Sequence, residues 1–101
     1  ESSALSDEAM ATLNVIAGQV QEGDFVELHG YTDTTGADGY NIALSHRRAE
    51  NVKRYLVSRD VALFRIEIVG LGNASPATSN DTREGREQNR RVEVSVLRGN
   101  N

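Results

Sequence analysis

The chain has 101 residues, 38% of them apolar, enough for one small domain spanning residues 1–101 with a single core and little surplus stability. It has no cysteine, so neither a disulfide framework nor a thiolate metal site can hold it together, and no run approaches the roughly 20 apolar residues of a membrane span. A net charge of −4 without a basic, aromatic patch argues against a nucleic-acid surface.

In chain order, Leu5, Met10, Leu13, Ile16, Ala17 and Val20 follow helical spacing. Ser6 is placed to cap that helix, Asp7 and Glu8 sit at the positive end of its dipole, and Leu5 and Met10 are spaced as a hydrophobic staple. Gly23 is expected to end it. Phe25–Gly30 reads as a short strand with Val26 and Leu28 on one face. A turn follows, then a helix expected over Asp38–Ser58 with Ile42, Ala49, Val52 and Leu56 available to the core. Residues 63–69 read as a strand, Ile66 and Ile68 on one side and Arg65 and Glu67 on the other. Residues 70–80 carry the only proline among Gly, Ser, Asn and Thr and read as a loop. A short polar helix is expected over 82–89, then a strand over 91–97 with Val92, Val94 and Val96 on one face. Helices alternating with strands give an α/β (α+β) sandwich, a small mixed sheet with helices packed on it.

Charge is unevenly divided: the first 40 residues hold eight acids and no lysine or arginine, the remaining 61 hold eleven basic and seven acidic residues. The seam falls in the turn and helix that contain Asp33 and Arg48. Asn41, Ser45, Arg48, Val52 and Tyr55 share one helix face. A carboxylate and a bidentate cation separated by a short polar ledge suit a ligand that carries both an ammonium and a carboxylate, as an amino-acid head group does. Taken singly, Asp33 could equally accept hydrogen bonds from its own turn, and Arg48 could be a solvated helix cation.

The spelling of these segments resembles the OmpA C-terminal-like domain family, which includes peptidoglycan-associated lipoproteins and flagellar stator anchors. That family is recognised by a TD-x-x-G turn, then N-x-x-L-S-x-x-R-A, then a G-x-x-x-P loop closed by N-R-R-V-E. Here these are Thr32-Asp33-Thr34-Thr35-Gly36; Asn41, Leu44, Ser45, Arg48 and Ala49; Gly72 with Pro76; and Asn89-Arg90-Arg91-Val92-Glu93. The resemblance implies a non-catalytic domain that binds peptidoglycan without a cofactor or metal. Asp33 would take the ammonium, and Arg48 the carboxylate, at the side-chain end of meso-diaminopimelate in the stem peptide. Thr34 and Thr35 could offer backbone N–H groups, and Asn41 an amide to hold the ligand or the turn. Leu44 could be an apolar wall or ordinary core, and Arg91 would lie near the ligand or brace Asp33. Arg47, Arg83 and Arg86 read as solvated charges.

The resemblance further implies a periplasmic location in a Gram-negative bacterium, as part of an outer-membrane or other envelope protein, with no membrane insertion by the domain itself. No signal peptide is seen, so an exported parent would have lost its address. The chain departs from the family twice. Tyr31 stands where the family most often has histidine, and the strand that usually precedes the first helix is missing, which makes a homodimer through an unpaired sheet edge an expectation. Other readings are a scaffold that has lost wall binding and an aspartic protease. Asp33-Thr34-Thr35-Gly36 only superficially resembles the protease Asp-Thr-Gly, and the long helix after it does not suit a nearly all-β enzyme. Ser45 and His46, adjacent on a helix, diverge by about 100° and cannot form a triad with His29. The two histidines lie at no metal-ligand spacing.

Overall fold

A computed structural model describes residues 4–31, 38–70 and 91–99, the side chains of 38–42 and 70 excepted. Its elements run in the order α1 (Asp7–Gln19), β1 (Phe25–Gly30), α2 (Asp38–Ser58), a 3-10 turn (Leu63–Arg65), β2 (Ile66–Gly70) and β3 (Val92–Leu97). Among the described residues the sheet has three strands, ordered β2-β1-β3, with β1 parallel to β2 and antiparallel to β3. The expected mixed α/β architecture is therefore the observed one. The described chain enters α1 without a preceding strand, while the expected loop and short helix at 71–90 lie outside the described residues.

Ser6 caps α1 as its position predicts: its hydroxyl accepts from the Ala9 N–H at 3.0 Å, with Asp7 and Glu8 in the first turn. The end differs from expectation. Val20, not Gly23, closes the helix in an extended conformation, and Gly23 instead takes a positive φ of 93° within the tight turn into β1. That turn is held by the Asp24 N–H donating to the Gln21 carbonyl at 3.0 Å and the Gln21 N–H donating to Asp24 Oδ2 at 2.8 Å.

The core lies between the helices and one face of the sheet. Leu13 of α1, Val26 and Leu28 of β1, Val52 and Leu56 of α2, Val61 and Ile66 form one buried cluster, with Ile68, Val92 and Val94 packed partly against it. Burying each of the larger side chains contributes roughly 1.5–3 kcal/mol. The central strand is sealed, Val26 and Leu28 having no exposure, because it has a strand on either side and a helix above; the inward valines of outer strand β3 stay half-buried.

One expected strand begins later than its alternation suggested. Leu63 and Phe64, 59% and 74% exposed, form a 3-10 turn with Arg65, and β2 starts at Ile66. Arg65 does not point out from a strand. Its guanidinium lies 5.8 Å and 4.9 Å from the Phe25 and Phe64 ring centres and donates to the Asp24 carbonyl at 2.9 Å. Tying that side chain to the start of β1 favours the turn over one more extended residue.

Candidate functional site

The site expected from the sequence belongs to the junction between the C-terminal end of β1 and α2. Gly30 makes that junction close. A Cβ there would lie 2.6 Å from the Ser45 carbonyl oxygen and 3.5 Å from Ala49 Cβ, so the helix backbone rests directly on the strand end. Leu44, Ser45 and Ala49 are buried as a result, and Arg48, three residues beyond Ser45 on the same face, is only 9% exposed. Arg47 and His46 point to the exposed side of α2, where His46 Nε2 lies 3.6 Å from Glu50. Ser45 and His46 thus face different ways, as their adjacency requires. Arginine is almost never sunk this far unless its environment uses the charge.

On the other face of the sheet, at the same end of β1, stands Arg91. Its backbone extends the β1–β3 ladder by one pair: the Tyr31 N–H donates to the Arg91 carbonyl at 2.7 Å and the Arg91 N–H to the Tyr31 carbonyl at 3.2 Å. Strand alternation turns Tyr31 and Arg91 away from Val26, Leu28 and α2. There the Arg91 guanidinium carbon lies 4.2 Å from the Tyr31 ring centre, and Arg91 Nε donates to Glu93 Oε2 at 2.9 Å. His29, two residues back, stacks on Tyr31 with centroids 6.4 Å apart and an interplanar angle of 14°. Arg48 and Arg91 therefore flank one strand end from opposite faces. The turn carrying Asp33, Thr34 and Thr35 and the side chain of Asn41 lie outside the described residues. Leu44, 2% exposed, is placed as interior packing beneath this junction.

A second polar cluster, at the opposite end of β1, escaped sequence reasoning. Asp24 is 3% exposed. Its carboxylate accepts from the Gln21 N–H at 2.8 Å, the Gly99 N–H at 3.0 Å and Arg98 Nη1 at 2.6 Å, and that Arg98 nitrogen also donates to the Gln19 carbonyl at 2.9 Å. The Gly99 N–H, then the Gln21 N–H and Arg98 hold its carboxyl below the usual carboxylate value, while burial works in the opposite direction. The Gly-Asp pair signals a turn, but nothing in the sequence announces a partner 74 residues away. Among the described residues no group of His, Asp or Glu is arranged to hold a metal ion, and no helix is long and apolar enough to cross a membrane.

Among the described residues, a three-stranded mixed sheet backed by two helices, with a buried arginine on the helix that follows the central strand, makes a small mixed α/β domain. Residues 1–90 match the OmpA family, and the chain belongs to it. It is 55% identical over 71 residues to the peptidoglycan-binding protein ArfA of Mycobacterium tuberculosis, covering 70% of this chain and 22% of that protein. Outer membrane protein A of Bordetella avium is 40% identical over 99 residues, 96% of this chain and 51% of that protein. The chain thus spans between about a fifth and half the length of these relatives. Among solved structures, the peptidoglycan-associated lipoprotein from Burkholderia pseudomallei superposes with a TM-score of 0.88 at 29% identity, covering 96% of this chain and 84% of that one. The C-terminal domain of Helicobacter pylori MotB does so with a TM-score of 0.82 at 26% identity, covering 94% and 76%. The OmpA family match sets the protease reading aside.

Proposed function

We propose that this domain binds peptidoglycan non-covalently and anchors an envelope protein to the cell wall, recognising the meso-diaminopimelate of the stem peptide. The observation that carries the reading is Arg48, a nearly buried guanidinium where α2 rests on the end of β1, fifteen positions after Asp33 in the family's motif order. A sheltered guanidinium offers a two-pronged, charge-assisted contact to a carboxylate, worth on the order of 1.5–3 kcal/mol. Asp33 supplies the counterpart for the ligand ammonium. Thr34 and Thr35 lend backbone N–H groups, Asn41 an amide, Leu44 apolar support, and Arg91 a second cation at the rim. The relatives that carry peptidoglycan in their names support the ligand, and the outer membrane protein and the peptidoglycan-associated lipoprotein support a place in a Gram-negative envelope, on its periplasmic side.

Co-sedimentation with insoluble peptidoglycan tests the binding, and calorimetry with soluble stem peptides tests the specificity. A lysine-type peptide keeps the ammonium but lacks the terminal carboxylate, so the diaminopimelate peptide should bind more tightly by roughly 1–3 kcal/mol. Asp33→Asn should weaken binding about tenfold or more with the fold intact. Arg48→Lys, which keeps the charge but loses the fork, should erase most of the preference, and Arg47→Ala should change neither property. Equal affinity of the unmutated domain for the two peptides refutes the role given to Arg48.

A further inference from the structure

We infer that Tyr31 is a positioning residue for this binding site, acting through Arg91; the inference rests on the peptidoglycan reading above. Tyr31 holds Arg91 three ways. Two backbone hydrogen bonds, at 2.7 and 3.2 Å, fix the start of β3 to the end of β1, and the phenol ring lies 4.2 Å beneath the guanidinium carbon. Glu93 holds the Nε edge at 2.9 Å. A guanidinium lying on a ring and held at Nε has lost most of its rotamer freedom before any ligand arrives. The entropy of ordering it is then not charged against binding.

The identity of the ring matters. The Arg91 side chain is 21% exposed, so the ring is partly screened from water and the cation–ring attraction is stronger than at an open surface. A phenol never carries a positive charge and so never repels the guanidinium, whereas a histidine at this position would do so when protonated. Tyr31 also immediately precedes the Thr32-Asp33 pair in the chain, so the clamp that fixes Arg91 also fixes the residue to which that pair is joined.

The test is calorimetry with a soluble diaminopimelate-type muropeptide, paired with thermal melts of each variant. Tyr31→Leu, which keeps bulk but removes the π face, should weaken binding about threefold to tenfold. Tyr31→Phe should stay within about twofold of the unmutated domain, because the ring and not the hydroxyl faces Arg91. In an Arg91→Gln background, Tyr31→Leu should cost nothing further, since a residue acting through Arg91 has nothing left to position. Additive losses in the double variant, or Tyr31→Phe as weak as Tyr31→Leu, overturn the inference. Failure of the unmutated domain to bind the muropeptide overturns the peptidoglycan reading and the inference with it, whereas normal binding by Tyr31→Leu overturns the inference alone.

Discussion

At the scale of single residues, two charged groups do different work at the two ends of β1. Arg48 is sunk where α2 rests on the strand end, the position proposed above to meet a ligand carboxylate, and Asp24 is sunk among hydrogen-bond donors at the other end. Asp24's carboxyl titrates below its ordinary value near 3.8, because the Gly99 and Gln21 N–H groups and Arg98 favour the ionised form. A depressed folded-state value contributes stability that is complete above the unfolded-state value and is lost as pH falls through the folded-state one. Melting temperatures followed from pH 7 downward should therefore drop below about pH 4. Asp24→Asn should melt lower at pH 7 and show a flatter acid limb. An unchanged acid limb would mean that another carboxylate governs it.

At the scale of elements, the contact that positions the site is backbone against backbone. With Ser45's carbonyl 2.6 Å from where a Cβ on Gly30 would stand, any side chain there must push α2 off the strand. Gly30→Ala should destabilise the domain by about 1–3 kcal/mol, the usual range for overpacking. It should also weaken muropeptide binding, since Arg48 travels with the helix. Gly18→Ala is the control, because nothing lies within 4 Å of a Cβ on that exposed α1 position. It should leave binding unchanged and stabilise α1 by up to about 1 kcal/mol. Urea melts of both variants decide the matter.

At the scale of the whole molecule, β3 pairs only with β1 among the described residues, and its inward valines are half-buried. An outer strand of this kind can accept a second copy. Two β3 strands laid antiparallel about Val94 would set Val92 against Val96 on the helix side and Glu93 against Ser95 on the open side, so no like charges oppose. We therefore expect the light-scattering mass to rise with concentration. Ser95→Glu, which would place Glu93 opposite a second carboxylate, should restore the monomer. A monomeric mass at all concentrations would exclude the pairing.

The sequence by itself determined the elements whose signals are local. Ser6 caps α1 through a hydrogen bond three residues away, the period-two pattern places Val26 and Leu28 inside β1, and helical spacing puts Ser45, Arg48 and Val52 on one buried face. It also carried the family motif that named Asp33 and Arg48. What it could not specify depended on partners distant in the chain. Arg65 turns the expected start of β2 into a 3-10 turn because Phe25 and the Asp24 carbonyl, 41 residues away, bind its guanidinium. Tyr31 meets Arg91, and Asp24 meets Arg98, only once β3 lies antiparallel along β1. The physical reason is that capping and periodicity are set within a turn or two of backbone. The burial of a charge and the choice of its partner are set by which strands the tertiary fold places side by side.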